Sequence, residues 1–403
     1  MFIRHIIGTI GVRVASAGIS VLLLLLHARY LGDTALGTIT LIVLGVSLTS
    51  LLAHVMGGGV LVYFAPRASA PKLLLPSYLW GIASLILATL VITVFGLVPE
   101  EYVLAVFAIA LLEVFAYNHH SLLIGKERIP VANTLVMVRM LLLGGGVSAG
   151  IFLFDIRTPW VYVYAILLAN TWWMIASFIS LRKELFHGGS WSLDKGLIRK
   201  MLKLGTFSQS GNALQLMNYR LDIYLLEAFF PATGLALVGR YTAANQVGES
   251  LWIVPRAIAS VQYGRIANSE NKAYSRSLSL RLMGLSMLLA AVGLCVFLLI
   301  PAEGYVWLLG ERFRDTGTIL LYLAPGILFL AGSIPLSPYF SGRGKHVVNT
   351  WAAAVGLVVT LCVGLWLIPD LGVQGAAITS SISYGLTWVV QLAVLLLEDK
   401  RGD

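Results

Sequence analysis

Charged residues are scarce in this sequence: Asp, Glu, Lys and Arg make up 12% of its 403 residues. A soluble domain has about 25%. Hydrophobic residues make up 58%, and the mean hydropathy is +0.86. This composition excludes an ordinary soluble domain and is typical of an integral membrane protein. The net charge of +9 invites a nucleic-acid partner, but membrane topology explains it, and we predict none.

Cysteines and catalytic motifs are also scarce. Cys295 and Cys362 are the two cysteines, and both fall inside apolar stretches, which argues against a disulfide framework. HExxH, CxxC, Walker and GxSxG patterns are absent. His119 and His120 are the one adjacent histidine pair, and neighbouring helical positions face different ways. We therefore expect no metal site, no cofactor and no enzyme activity.

Apolar stretches recur along the whole chain and are too long for strands. Helices satisfy their own backbone hydrogen bonds in lipid, so we predict an all-α, polytopic membrane protein. The N-terminal run continues into a second span without a small-residue cleavage site, so we expect no cleavable signal peptide. Twelve transmembrane spans are predicted, at 6–28, 36–64, 76–98, 102–124, 130–154, 160–181, 204–230, 236–263, 282–300, 317–340, 347–368 and 376–397.

The distribution of basic residues predicts the orientation. With both termini in the cytoplasm, most of the 28 Lys and Arg residues fall in cytoplasmic segments, as the positive-inside rule requires. No loop exceeds about two dozen residues, which leaves no room for a soluble catalytic domain. Any activity must take place within the bilayer.

The longest cytoplasmic break divides the chain into two six-helix lobes. We predict an N-terminal lobe at 1–181, an interfacial linker helix at 182–203 and a C-terminal lobe at 204–403. Ser190 and Ser192 would cap the linker helix. YLGDTALGTIT after the first span resembles FFPATGLALVGRYT after the seventh, which aligns Gly37 with Gly239. This predicts parallel repeats; a chance match between short turns is the alternative.

Polar residues at helical spacing form stripes on several spans. The seventh span carries Ser208, Asn212, Gln215, Tyr219 and Asp222. The eighth carries Asn245, Glu249, Trp252, Arg256, Ser260 and Tyr263. A charged residue at the centre of an inserted helix costs about 2.5–3.5 kcal/mol. Nine charges lie inside the predicted spans: Arg13, Arg139, Arg220, Arg240, Arg256, Glu113, Asp222, Glu227 and Glu249.

Two interpretations of these charges remain open. In the first, each arginine pairs with an acid and holds two helices together. In the second, the surplus of arginines lines a watery cavity that attracts an anionic head group, because a guanidinium can hold two phosphate oxygens. The substrate-binding candidates are then Arg13, Arg139, Arg220 and Arg256. A lipid carrying a pyrophosphate is the natural substrate.

The acids inside the spans have a second candidate role. Asp222, Glu249 and Glu113 could bind a proton or a sodium ion during a transport cycle. Ion pairing with the arginines explains them equally well, and the sequence leaves both possibilities open.

Five segments carry a family resemblance: ARYLGDTALGTITL, NYRLDIYLLEAFF, VGRYTAANQVGESLWIVPRAIASV, LLGERFRDTGTILLYLAPG and IPDLGVQGAAITSSIS. Together they resemble the polysaccharide transporter (O-antigen flippase) family of the multidrug/oligosaccharidyl-lipid/polysaccharide exporter superfamily. The resemblance implies two six-helix lobes in a V shape and alternating access in a bacterial inner membrane. It also implies an undecaprenyl-diphosphate-linked oligosaccharide as substrate, held by in-membrane cations. We further expect the protein to be a monomer. Its expected partners are membrane lipids and polysaccharide polymerase machinery.

Two other functions are alternatives. A multidrug antiporter of the same fold would favour an acidic or aromatic cavity, and the basic excess speaks against it. A membrane glycan polymerase or ligase would place its catalytic groups in a large periplasmic loop, and no loop here is long enough.

Overall fold

The computed structural model describes the backbone of residues 2–187 and 189–400, and the side chains in these ranges except those of residues 2–10, 187, 399 and 400. The regular secondary structure of this part of the chain is entirely helical. In chain order the helices are α1 (Phe2–Ala53), α2 (Gly58–Phe64), α3 (Ala70–Val94), α4 (Val103–Gly125), α5 (Ile129–Phe152), α6 (Trp160–His187), α7 (Lys195–Phe229), α8 (Gly234–Ser250), α9 (Ile253–Ala267), α10 (Lys272–Leu298), α11 (Ala302–Leu309), α12 (Thr316–Gly342), α13 (His346–Leu371) and α14 (Val373–Lys400).

Helix α1 contains two membrane crossings. Its 52 residues would extend about 78 Å at 1.5 Å per residue, more than twice the thickness of the hydrocarbon core. Gly32 interrupts it with φ 85° and ψ −177°, a conformation that glycine adopts without a steric penalty. The second crossing continues through a 3₁₀ turn at His54–Met56 into α2.

The predicted fold class is confirmed. Nine helical segments of the described residues are long and apolar enough to span a membrane, and the first, Gly11–Phe64, holds the two crossings of α1 and α2. Helix α7 and the pair α8–α9, which carry the polar stripes, complete the twelve spans. Large apolar side chains such as Leu104 and Leu299 are 78% and 82% exposed, as expected of surfaces that face lipid.

The chain forms two compact units. Unit 1 consists of Met1–Leu26 and Thr38–Asn212, and unit 2 of His27–Gly37 and Ala213–Asp403. The borders therefore lie inside α1 and α7. The predicted linker region 182–203 is divided between α6, which extends to His187, and the first turns of α7; residue 188 lies outside the described residues.

The N-terminal cap of α7 is Asp194, so the prediction that Ser190 and Ser192 cap this helix was wrong. The Oδ1 atom of Asp194 accepts hydrogen bonds from the backbone N–H groups of Gly196 at 2.8 Å and Leu197 at 3.1 Å. These two bonds hold the pKa of the Asp194 carboxyl below its ordinary value. A carboxylate suits this position because the N–H groups of the first turn have no helical partner.

Helices α8 and α9 are separate within the predicted span 236–263. The break falls at Leu251 and Trp252, four residues before Pro255, which has no N–H for the carbonyl of Leu251. The interruption places Arg256 in the first turn of α9.

The segment His27–Gly37 belongs to unit 2 through an ion network. Asp33 is buried, with 3% of its side chain exposed. Its Oδ2 atom receives Arg240 Nε at 3.1 Å, and its Oδ1 atom receives Arg312 Nη1 at 2.9 Å. One carboxylate thus anchors the start of the second crossing to α8 and to the turn before α12.

Gly37 and Gly239 allow the same segment to approach α8 closely. A Cβ atom on Gly37 would lie 1.8 Å from the carbonyl oxygen of Leu235, and one on Gly239 would lie 1.9 Å from that of Asp33. The sequence alignment that matches Gly37 with Gly239 also matches Asp33 with Leu235. The contact is therefore symmetric under the alignment, and the internal duplication stays a prediction.

Candidate functional site

Unit 1 holds a closed polar cluster between α4, α5 and α6. Arg139 Nη2 lies 2.9 Å from Glu113 Oε2, and Arg139 Nε donates to Asn170 Oδ1 at 2.7 Å. The guanidinium carbon also lies 4.7 Å from the ring centroid of Trp173. The side chains of Arg139 and Glu113 are 16% and 29% exposed. The acid neutralises the arginine, so this predicted substrate-binding residue is already paired.

Aromatic and histidine side chains surround this cluster. His119 is hydrogen-bonded to the hydroxyl of Tyr78 and, at 2.9 Å, to Ser177 Oγ. His120 instead lies 5.9 Å from the ring of Trp173. The neighbouring histidines thus face different partners, as predicted. In the described residues, no group of three His, Cys, Asp or Glu side chains is placed to hold a metal ion.

Unit 2 holds a second arginine–glutamate pair, between α7 and α8. Arg220 Nη2 lies 3.0 Å from Glu249 Oε1, with 26% and 20% of the two side chains exposed. Asn245 Nδ2 donates to the same glutamate at 3.0 Å. Two further predicted site residues are therefore a mutual pair, and the i, i+4 spacing of Asn245 and Glu249 lets the amide reach the carboxylate that pairs with Arg220.

Asp222 lies near this pair but is not bonded to it. It is 1% exposed and accepts hydrogen bonds from the hydroxyl of Tyr241, from Ser380 Oγ at 2.6 Å and from the backbone N–H of Ile223 at 2.9 Å. It forms no ion pair within the described residues. The sequence placed Asp222 on one stripe with Gln215, which is exposed; packing of α8 and α14 around the later turn buries the aspartate instead.

Arg256 differs from Arg139 and Arg220. Its side chain is exposed, and its guanidinium carbon lies 5.6 Å from the ring centroid of Trp252. It also lies close enough to Tyr219 on α7 for an electrostatic interaction. Among the residues that the structure describes, no carboxylate pairs with Arg256.

Arg13 is the corresponding case in unit 1. It lies on the first half of α1 with its side chain exposed, and it too lacks an ion pair in the described ranges. The four predicted arginines therefore fall into two kinds: Arg139 and Arg220 are paired with glutamates, whereas Arg13 and Arg256 have no paired acid among the residues that the structure describes.

Sequence reasoning missed several buried polar partners. Tyr241 and Ser380 were not connected with Asp222. Asn218 Oδ1 accepts from Ser383 Oγ at 2.7 Å and from Thr360 Oγ1 at 3.1 Å, which joins α7, α13 and α14. Small-residue spacing on α13 was the available signal for this contact. A Cβ on Gly356 would meet the Asn218 amide at 2.5 Å, so the close approach requires a small residue there.

Comparisons with known proteins come from sequence and from structure. No family model matches the sequence. The chain is 24% identical over 249 residues to the uncharacterized membrane protein MJ1068 of Methanocaldococcus jannaschii, which covers 60% of this chain and 48% of that protein. The match thus spans about half the length of this curated relative.

Solved transporter structures share the fold. The lipid II flippase MurJ in an inward closed conformation matches with a TM-score of 0.71 at 14% identity, over 97% of this chain and 87% of that one. An inward-facing multidrug resistance MATE family transporter of the MOP superfamily matches with a TM-score of 0.72 at 13% identity, over 96% and 94%.

A third structure is a MOP superfamily transporter from Pyrococcus furiosus, for which a reversed polarity of the binding pocket suggests a different function. It matches with a TM-score of 0.66 at 13% identity, over 98% of this chain and 95% of that one. The fold is thus that of the MATE and MurJ structures, and the chain is a multi-pass membrane protein. At these identities the likeness defines the fold, and the substrate must be argued from the site.

Proposed function

We propose that the protein is a flippase that moves an anionic lipid-linked oligosaccharide, of the undecaprenyl-diphosphate type, across a bacterial cytoplasmic membrane by alternating access. The observation that carries the proposal is Arg256, a cation inside a predicted span with no acid paired to it among the described residues. A charge at this depth is costly unless a ligand or water compensates it. A diphosphate would supply that compensation.

The chemistry of the guanidinium supports a diphosphate over a neutral sugar as the recognised group. Arginine stays charged at all physiological pH values and presents two parallel N–H donors to phosphate oxygens. Tyr219 and Gln215 lie on the neighbouring face of α7 and are hydrogen-bonded to one another at 3.0 Å. They provide the polar surroundings that a hydrated head group needs.

The four predicted arginines have unequal roles in this proposal. Arg256 and, in unit 1, Arg13 offer an uncompensated charge and contribute most to head-group capture. Arg220 and Arg139 would have to exchange a glutamate for the substrate, so we assign them smaller contributions.

Asp222 is the preferred candidate for a coupled proton or sodium ion. It is buried and accepts two hydroxyl hydrogen bonds, whereas Glu249 and Glu113 are each occupied by an arginine. A carboxylate without a cationic partner can gain a proton or a cation without first breaking an ion pair.

Reconstituted transport tests the proposal. The purified protein is placed in proteoliposomes with a fluorescent undecaprenyl-diphosphate-linked sugar, and flipping is followed by quenching of the outer-leaflet label. We expect Arg256→Gln to lower the initial rate at least about tenfold, the worth of one charge-assisted hydrogen bond. Arg265→Gln is the matched control, because it removes an exposed arginine from the end of the same helix.

Two outcomes would overturn the proposal. In the first, wild-type protein does not flip the lipid but transports ethidium, which would favour a multidrug antiporter. In the second, wild-type protein flips the lipid and Arg256→Gln does so at the same rate, which would remove Arg256 from the site. Analysis of the lipid product for new glycosidic bonds would reveal a polymerase or ligase.

A further inference from the structure

Helix α4 presents a face in unit 1 that is both polar and aromatic. Glu113, Tyr117 and His120 follow one another by steps of four and three residues, which places them on one side of the helix. Tyr117 is 36% exposed, and the side chain of Glu113 is 29% exposed. A partly exposed carboxylate within a membrane span faces protein or water rather than acyl chains. The side of α4 that carries these residues is therefore turned away from lipid.

A row of rings holds Tyr117 on this face. Its ring stacks on that of His120, with an interplanar angle of 24° and 6.1 Å between the centroids, and lies 4.6 Å from the ring of His54. His120 in turn lies 5.9 Å from the ring of Trp173. The exposed part of Tyr117 is therefore a flat apolar surface that is supported from two sides.

Polar atoms without hydrogen-bond partners lie around this ring. Glu113 Oε2 accepts from Arg139 and, at 3.4 Å, from Asn170, whereas Glu113 Oε1 accepts no hydrogen bond from the described residues. His54 Nε2 and His120 Nδ1 are buried and also lack a partner in this part of the chain. Buried polar atoms are usually hydrogen-bonded, so such a group of exceptions requires an explanation. The hydroxyl groups of a ligand on this face would provide one.

The charge of this face indicates the class of ligand. Arg139 cancels the charge of Glu113 across 2.9 Å, so the net charge of the face favours neither a cation nor an anion. A supported aromatic ring beside hydrogen-bonding atoms instead matches a sugar. The C–H groups of a sugar ring pack on an aromatic face, and its hydroxyl groups both donate and accept hydrogen bonds.

We propose that the α4 face formed by Glu113, Tyr117 and His120 binds a sugar residue of the lipid-linked oligosaccharide. Tyr117 provides the stacking surface, and Glu113 Oε1 accepts a hydrogen bond from a sugar hydroxyl. This inference rests on the proposed function, since it takes a glycosylated lipid as the substrate. It assigns the two parts of that substrate to different groups: Arg256 in unit 2 binds the diphosphate, and Tyr117 adds affinity that depends on the sugar.

Binding to defined lipids tests the inference. The detergent-purified full chain is titrated with undecaprenyl diphosphate and with the same lipid carrying glucose, galactose or N-acetylglucosamine. We expect wild-type protein to bind at least one glycosylated lipid about fivefold more tightly than the bare diphosphate, the usual worth of one aromatic contact. Tyr117→Leu should lower this ratio at least about threefold and leave the affinity for the bare lipid unchanged.

Two variants control for a loss of structure. Tyr117→Phe keeps the stacking ring and should keep the wild-type ratio. Tyr164→Leu removes another exposed tyrosine of unit 1, which stacks on Trp160 within α6, and should also keep the ratio. Arg256→Gln should weaken the binding of bare and glycosylated lipids by the same factor.

The outcomes separate the sugar site from the proposed function. If wild-type protein binds all four lipids equally, or if Tyr117→Leu keeps the wild-type ratio, the sugar site is overturned and the flippase proposal stands. An equal loss of affinity for bare and glycosylated lipids in Tyr117→Leu would also overturn the sugar site, because the ring would then not act through the sugar. If wild-type protein binds none of the lipids, both proposals are overturned.

Discussion

The two arginine–glutamate pairs make an instructive comparison. The pair Arg139–Glu113 in unit 1 and the pair Arg220–Glu249 in unit 2 have nearly equal N–O distances of 2.9 and 3.0 Å. The further contacts of the two arginines differ. Arg139 also donates to Asn170 and stacks near Trp173, whereas Glu249 is the one hydrogen-bond acceptor of Arg220 in the described part of the chain. Equal distances therefore do not mean equal dependence on the acid.

The surroundings of the two pairs also differ. In unit 1 the charges of the arginine and the glutamate cancel within the cluster. In unit 2 the pair lies near a buried acid, Asp222, and near Arg256, which has no paired acid in the described part of the chain. Under the proposed function, the unit 1 pair mainly holds helices together, while unit 2 supplies the groups that bind the diphosphate of the substrate and the ion.

Substitution of each glutamate by alanine should give the largest loss of stability. Equal losses for the two variants would contradict the difference between the pairs. We expect Glu249→Ala to lower the free energy of unfolding by about 3–4 kcal/mol, because Arg220 is left without an acceptor. Glu113→Ala should cost about 2 kcal/mol, because Arg139 keeps Asn170 and Trp173. Unfolding in mixed micelles, followed by tryptophan fluorescence, measures both.

A paired substitution controls for the loss of packing. In Arg220→Met/Glu249→Leu no charge is left unpaired, and stability should return to within about 1 kcal/mol of wild type. A larger loss in Glu113→Ala than in Glu249→Ala would show that the supporting contacts of Arg139 carry no weight.

Glycine substitutions test the close contact between the segment His27–Gly37 and α8. Gly37→Ala should destabilise the protein by about 2–3 kcal/mol, since its Cβ would collide with backbone rather than with a flexible side chain. Gly18→Ala on the same helix has no atom within 4 Å of the added Cβ and should be neutral or stabilising by about 0.5 kcal/mol. Similar unfolding midpoints for the two variants would refute the close contact with α8.

The smallest effect concerns helix caps, one from each unit. Asp194 caps α7 with a carboxylate whose pKa is lowered, and Asn271 caps α10 with a neutral amide that accepts from Tyr274 N–H at 2.9 Å. A lowered folded-state pKa adds stability above the pKa of the unfolded chain, and this stability is lost as pH falls through the folded value. The first turn of α7 should therefore lose protection in acid, while that of α10 should not.

Hydrogen exchange measured between about pH 3 and pH 6, across the ordinary carboxyl range, tests this prediction after correction for intrinsic rates. Asp194→Asn should abolish the pH dependence at α7 without abolishing the cap. Equal pH dependence at both helix starts would indicate a general loss of structure in acid instead.

Much of the fold could be predicted because lipid imposes simple requirements on a sequence. Each crossing needs a long apolar helix, and this pattern located twelve spans. Helix starts were harder to place, because α7 and α10 begin in polar sequence at Lys195 and Lys272. There the caps determine the start and hydrophobicity does not.

The candidate site was only partly predictable. Helical spacing found Arg139, Arg220 and Arg256 and the acids Glu113 and Glu249, because a charge within an apolar run stands out. It could not tell which arginine meets which acid, since partners on different helices are fixed by packing. Asp222 is buried against Tyr241 on the next helix and against Ser380, which is 158 positions away. No local pattern reveals such contacts.

Binding of the lipid diphosphate itself tests the central claim most directly. The affinity for undecaprenyl diphosphate is measured for wild type, for Arg256→Gln and for Arg220→Met/Glu249→Leu. The account predicts a loss of at least about tenfold for Arg256→Gln and a change of less than about threefold for the double variant, whose charges already cancel. The opposite order, or wild-type affinity in Arg256→Gln, would contradict it.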